Sequence, residues 1–195
     1  VKMFNKQYGK EITEKILNES NKTPAVTVRV NDLKTNYEEA WHSLSKFGYT
    51  IEEGSVCPEA IKIIKGKNIE SNPLFKEGII TVQDESAMLV APSLDLEENF
   101  NVLDLCSAPG GKSTHISEIM NNTGRVYAYD VHKSKMRFIK ENSERLGIDN
   151  IVCSVMDASI LNKELINRAD RILIDVPCSG LGIIRKKPEI KWNKN

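Results

Sequence analysis

Residues 102–116 read VLDLCSAPGGKSTHI. An apolar run with strand character breaks at a bend holding one proline and two glycines, then resumes as a sequence suited to a helix. The closing letters GGKS suggest the phosphates of a nucleoside triphosphate. A P-loop, however, requires G-x-x-x-x-G-K-[ST], and Cys106 stands where its first glycine belongs. The G-x-G-x-x-G fingerprint of a dinucleotide site is absent from the bend as well. A methyl donor, S-adenosyl-L-methionine, is the third candidate.

The surrounding chain decides among the three. A helix over 85–92 leads to a strand at 101–105 and a helix at 111–120. A strand at 126–130, a helix at 134–146 closed by Gly147, and a strand at 151–155 follow. A short helix near 160–167 and a strand at 171–176 complete the pattern. Strands alternating with helices imply right-handed crossovers and a mostly parallel sheet. Ligands of such sheets sit beyond the carboxyl ends of the strands, where chain order reverses, which places the site at the 106–112 bend. Asp104, Asp130, Asp157 and Asp175 fall in phase with the four strand ends. Like charges within a few ångströms cost about 1 kcal/mol even in water, so a rim of acids repels a polyphosphate. The same rim attracts a sulfonium that carries an ammonium group. Asp130 is spaced to accept both hydroxyls of a ribose, and amides near Gly111 can receive the donor's carboxylate. Asp130 and Asp157 could instead simply cap helices, as aspartates often do; four acids in phase with four strands favour a site.

Upstream the rhythm differs. Residues 9–19 read as a short helix, VTVRV at 26–30 as a half-buried strand, and Thr35–Glu38 as a capping box. Tyr37, Trp41, Leu44 and Phe47 then share one helical face that ends at Gly48, a spacing that favours core packing over an RNA-stacking platform. Short strands near 49–52, 60–65 and 79–83 complete a small α/β unit. The expected organisation is a helical linker over 1–23, a small α/β (α+β) domain over 24–80 and the parallel-sheet domain over 81–195.

The 195 residues carry 27 basic and 27 acidic groups, so the net charge is zero and neither a membrane surface nor a polyanion is selected by bulk charge. The ends of the chain are basic and the middle is acidic. Arg185, Lys186 and Lys187 form the densest basic cluster, readable equally as a solvated loop or as a phosphate contact. The absence of a membrane-length apolar run and of a leader makes a cytoplasmic protein the default. Cys57, Cys106, Cys153 and Cys178 form no CxxC pair, and His42, His115 and His132 lack ligand spacing, so no metal site is expected.

The runs DLCSAPGGKSTH, AYD at 128–130, MDA at 156–158 and DRILIDVPCSGLGIIRKKPEIKW at 170–192 closely resemble Sun-like RNA cytosine-C5 methyltransferases. The nearest likeness is to the bacterial 16S ribosomal RNA methyltransferase B group, and TVQDESA at 81–87 resembles the entry to the catalytic domain of that family. The resemblance implies a Rossmann-like S-adenosyl-L-methionine-dependent methyltransferase domain preceded by an RNA-contacting domain, with 16S ribosomal RNA as partner. It implies that Cys106, Ser107, Ala108, Pro109, Gly110, Gly111 and Lys112 wrap the methionine and ribose of the donor. Asp130 would hold the ribose, Asp157 the adenine side, and Asp175 the region near the sulfonium and target base, with Lys112 close to the incoming cytosine.

Methylation of cytosine C5 needs a thiolate to add at C6 and make C5 enamine-like; afterwards the C5 proton leaves and the thiol is expelled. Cys178, directly after Pro177 and close behind Asp175, is the cysteine that both spacing and resemblance place beside this chemistry. In the Sun-like RNA enzymes the attacking cysteine belongs to a later Thr-Cys motif, and the cysteine matched by Cys178 assists elimination. No Thr-Cys pair occurs in this sequence. The chain therefore reads as a piece of a longer enzyme that binds the donor but is inactive alone. Three alternatives remain: a DNA-type enzyme with Cys178 as nucleophile, a non-catalytic RNA-binding or assembly module, and another nucleotide-binding enzyme such as a dehydrogenase. The piece is also expected to self-associate through an unpaired sheet edge or to leave its tail after Ser179 poorly ordered.

Overall fold

The structure, a computed structural model, describes residues 1–178 and 180–193. Its first helix, α1 (Lys2–Glu19), starts earlier than expected and is broken at Gly9, where φ is 76° and ψ is 170°. A residue without Cβ tolerates that geometry, and the break makes two helices of one.

Strand β1 (Val26–Val30) is followed by α2 (Tyr37–Lys46), β2 (Thr50–Glu53), β3 (Ala60–Lys65), α3 (Pro73–Lys76) and β4 (Ile80–Val82). The strands form an antiparallel sheet in the order β2-β3-β1-β4. Val28 and Val30 pack with Leu44, Ile61, Ile63 and Ile80 in one core. Strand periodicity turns Thr27 and Arg29 to the other face, yet both are buried, so this sheet is covered on its second face too. The cap of α2 is one residue later than the capping-box expectation: Asn36 Oδ1 accepts from Glu39 N at 2.9 Å, and Thr35 Oγ1 donates to Glu39 Oε2 at 2.9 Å. Of the expected aromatic stripe, Tyr37 and Trp41 stack and pack on the core around buried Leu44, but Phe47 is exposed. As the C-cap it has already left the helical face.

A short helix α4 (Glu85–Met88) then leads to β5 (Asn101–Asp104), α5 (Gly111–Ile119), β6 (Arg125–Asp130), α6 (Met136–Leu146), β7 (Ile151–Val155) and β8 (Arg171–Leu173). Helix α4 is half the expected length, because Pro92 lies just beyond it and cannot donate to a continuing helix. The segment expected to be helical at 160–167 forms only a 3-10 turn at Lys163–Leu165. Ile160 and Leu161 are exposed there, so no apolar face holds a longer helix in place.

The four strands are parallel and ordered β7-β6-β5-β8. The chain moves outward from β5 through β6 to β7, then returns to the other side of β5. That reversal puts the switch point beside the carboxyl end of β5. Val102, Val126 and Leu173 pack with Ile116 and Met120 of α5, and Ala128 packs with Met136 and Ile139 of α6. Strand β8 ends at Leu173 instead of Val176. Its only partner among the described residues, β5, bends away after Asp104, and the hydrogen bond from Leu105 N to Leu173 O (3.0 Å) is the last between them.

Residues Val26–Val176, holding both sheets, form one compact unit. Val1–Ala25 and Pro177–Asn195 form a second, which contains α1, a 3-10 turn at Leu181–Ile183 and α7 (Ile190–Asn193). The expectation for the tail after Ser179 falls partly on Lys194 and Asn195, which like Ser179 lie outside the described residues. Among the described residues no helix is long and apolar enough to cross a membrane.

Candidate methyl-donor site

The bend after β5 is tied down by its own backbone. Ser107 N and Oγ both donate to Tyr129 O at 2.8 Å, joining the loop to the end of β6. Gly110 N donates to Ser107 O at 2.7 Å, and Pro109 O accepts from Asn142 Nδ2 at 3.1 Å. Ala108 packs against the Ala128–Met136–Ile139 cluster. Gly110 is the N-cap of α5 with φ of 106°, and a Cβ there would approach Ile139 Cα to 3.1 Å. Gly110 is thus required by backbone conformation and by the closeness of α6. Gly111 differs: its φ is unremarkable for an L-residue and a Cβ would meet nothing within 4 Å. The fold itself makes no demand for glycine at 111, which leaves open space at the first turn of α5.

The carboxylates are distributed unevenly around this bend. Asp104, at the end of β5, is 1% exposed, and Ser113 Oγ donates to its Oδ2 at 2.6 Å. Its Oδ1 is buried with no hydrogen-bond partner. Burial raises the Asp104 pKa to about 6 against the opposing help of the Ser113 hydroxyl, the nearby Cys106 amide and Lys112. Asp130 ends β6 in a buried position, and its Oδ1 accepts from His132 N at 2.9 Å. Asp175 lies two residues beyond the end of β8, half exposed, and pairs with Lys112 Nζ from the first turn of α5. Burial and the combined charge of Asp104, Asp130 and Asp175 push the Cys106 thiol up, so three of the four acids act on one point of the bend and Cys106 stays a thiol.

Asp157 is arranged differently. It follows Met156, whose N–H donates to Asp130 O at 3.2 Å, but its side chain is exposed. Its Oδ1 accepts from Ser159 N at 2.9 Å and Ser159 Oγ at 2.7 Å, and the hydroxyl bond foremost holds its pKa below the usual value. Cys178 belongs to the other compact unit; it is exposed, and its Sγ accepts from Gly180 N at 3.4 Å. Cys57 and Cys153 are raised in pKa, chiefly by burial, as inert packed thiols are.

Sequence reasoning did not single out the residues that hold the bend from behind. Arg29 of β1 is fully buried and forms a two-pronged ion pair with Glu118 of α5, Nε to Oε2 at 3.0 Å and Nη2 to Oε1 at 2.6 Å. It also donates to Gly111 O at 3.1 Å, to Thr114 Oγ1 at 3.4 Å and to Gln83 Oε1. The available signal was strand parity: Arg29 faces away from Val28 and Val30, so a strand covered on both sides must bury it.

This geometry suits a ligand with a cationic end. A buried carboxylate oxygen without a partner, two further carboxylates and room at a helix start together accept an ammonium, a hydroxylated ring and a small anion. A triphosphate would face three acids with one lysine already paired.

The family described as 16S rRNA methyltransferase RsmB/F matches residues 91–195, and the RsmF/B-like ferredoxin-like domain matches residues 1–70. The chain is 43% identical, over all 195 residues, to the probable ribosomal RNA small subunit methyltransferase B of Bacillus subtilis, and spans 43% of that relative's length. It is 33% identical over 180 residues to the 25S rRNA (cytosine-C(5))-methyltransferase nop2 of Schizosaccharomyces pombe, covering 91% of this chain and 30% of that one. The crystal structure of PH0851 superposes with a TM-score of 0.91 at 36% identity, over 97% of this chain and 43% of that one. The antiparallel sheet is therefore a ferredoxin-like layer, the parallel sheet is a Rossmann-like methyltransferase layer, and the chain belongs to the 16S rRNA methyltransferase RsmB/F family.

Proposed function

We propose that this chain supplies the donor- and base-binding part of an S-adenosyl-L-methionine-dependent enzyme that methylates carbon 5 of a cytosine in 16S ribosomal RNA. The observation that carries the proposal is Asp104 Oδ1, a buried acid oxygen without a partner at the switch point of a parallel sheet. The donor supplies an electrophilic methyl group on a positively charged sulfur. Asp104 receives its ammonium, Asp130 its ribose hydroxyls, and the loop from Cys106 to Gly111 its methionine end, with Asp157 toward the adenine. Lys112 and Asp175 face the incoming cytosine as a preformed pair. Cys178, in a Pro-Cys motif that resembles the elimination-assisting one of the Sun-like RNA enzymes, assists expulsion of the enzyme thiol and does not make the first attack. Residues 24–80 form the RNA-contacting domain, 81–195 the methyltransferase domain and 1–23 the linker.

Isothermal titration with the donor, its demethylated product, NAD and ATP tests this reading. The donor and its product are expected to bind and the other two are not; NAD binding without donor binding would overturn it. Asp130→Ala is expected to weaken donor binding about a hundredfold, the scale of two lost hydrogen bonds to a charged acceptor at about 1.5 kcal/mol each. An unchanged affinity removes Asp130 from the site.

Arg185, Lys186 and Lys187 are assigned to the RNA backbone. Replacing all three by Gln is expected to flatten the salt dependence of RNA affinity, because each neutralised phosphate releases a counterion. A slope equal to that of the parent protein returns the cluster to a solvated loop.

A further inference from the structure

We infer that Arg29 is a positioning residue for the donor loop: from the ferredoxin-like layer it fixes the first turn of α5, and with it Gly111 and Lys112. The inference rests on the donor reading above. A guanidinium has five N–H donors in a rigid fork. In this protein all five are used, on both Glu118 oxygens, Thr114 Oγ1, Gln83 Oε1 and Gly111 O. A stability role alone would be met by the Glu118 pair. The bond to Gly111 O goes further, because that carbonyl belongs to the residue where open space and the first amides of the helix coincide.

The network also joins separate parts of the sequence. Gln83 lies just past β4, Arg29 on β1, and Gly111, Thr114 and Glu118 along one face of α5. Lys112 directly follows the residue whose carbonyl Arg29 holds, and its ammonium reaches Asp175. A displacement of β1 relative to α5 would therefore move the Lys112 end of the site as well as the cradle at Gly111. The layer assigned to RNA contact and the loop assigned to the donor share one arginine.

The test compares two variants of the whole chain. Arg29→Met with Glu118→Leu removes both charges together, which avoids an unpaired buried ion, but leaves Gly111 O without its donor. Leu44→Ala destabilises the same ferredoxin-like layer from its other face, away from the loop. Donor affinity is measured by titration at a temperature where thermal denaturation shows both variants folded. The double variant is expected to lose about tenfold or more in affinity and Leu44→Ala none. Wild-type affinity in the double variant overturns the inference, as does an equal loss in both. Should the double variant fail to fold, Arg29→Lys replaces it: a single ammonium keeps the charge beside Glu118 but cannot span five acceptors, and the same loss is expected with the charge balance preserved. Hydrogen exchange at residues 114–117, the first hydrogen-bonded amides of α5, without donor separates this inference from the donor reading. A rise confined to that turn supports the clamp even if no donor binds, and unchanged exchange overturns it.

Discussion

Asp104→Asn is expected to make the protein more stable at pH 7 and, at the same time, a poor binder of the methyl donor. The native carboxyl has its pKa raised from 3.8 to about 6, first by burial. A raised acid contributes to stability below its unfolded pKa, near 4, and that contribution is lost as pH rises through about 6. At pH 7 the folded protein holds an ionised group that burial disfavours, at a cost of about 3 kcal/mol on the scale of 1.36 kcal/mol per pKa unit. Asparagine carries no such charge and can still bond Ser113 Oγ, but its amide is itself a buried polar group that offsets part of the gain. Urea denaturation should therefore show a gain of about 1–2 kcal/mol at pH 7 that fades near pH 4.

Donor binding should run the other way. An ammonium placed against Asp104 Oδ1 favours the ionised carboxylate, so wild-type affinity should rise with pH and level off above about 6. Between pH 7 and pH 5 the loss should approach about tenfold, one pKa unit below the midpoint. In Asp104→Asn the affinity should be low and flat across this range. A variant that is no more stable at pH 7, or a wild-type affinity indifferent to pH, would remove Asp104 from the role given to it.

The burial of Asp104 was visible in the sequence only in outline. Strand periodicity and the order of strand and helix were sufficient to place Asp104 and Asp130 at strand ends, because both depend on local pattern. The difference between Asp104 and the other acids is tertiary. Asp104 is buried and bonded by Ser113 of α5, whereas Asp157 folds back on Ser159 in an exposed turn. Strand β8 ends early for a similar reason: Ile174 and Val176 have strand composition, but the partner they need has turned away into the loop. Arg29 is the clearest case of information absent from local pattern. Its neighbours in VTVRV specify a strand, and only the covering of the second face decides that its charge must find Glu118, 89 residues away.

Gly78→Ala is expected to be among the most damaging single-methyl changes in the chain. Gly78 has φ of +72°, a conformation that costs an L-residue about 1–2 kcal/mol. A Cβ there would also lie 1.9 Å from Arg145 O and 3.0 Å from Leu146 Cα, so backbone must move. Those atoms belong to the last turn of α6, whose final carbonyls have no partners within the helix. The ferredoxin-like layer supplies them: Asn31 Nδ2 donates to Leu146 O at 2.9 Å as well as to Gly78 O at 2.8 Å, and Lys34 Nζ donates to Arg145 O at 2.8 Å. In return Arg145 Nη1 donates to Phe75 O at 2.7 Å and Ile80 O at 3.1 Å, with its guanidinium 4.0 Å above the Phe75 ring. Forcing α6 away from residue 78 strains this whole exchange of caps, for a combined loss of about 3 kcal/mol once overpacking is added to the backbone cost. Urea denaturation followed by tryptophan fluorescence and by circular dichroism should show the loss. Trp41 reports the ferredoxin-like layer, the second tryptophan, Trp192, being already exposed in the folded protein, and the helical signal reports both layers, so coincident curves in the parent protein would mean that the two layers unfold together. In Gly78→Ala the Trp41 transition is expected to separate from the helical one, because the change strikes the seam and leaves each core intact. A variant within about 0.5 kcal/mol of the parent, the ordinary spread of harmless surface changes, would show that the seam at α6 is too loose to bind the two layers into one unit.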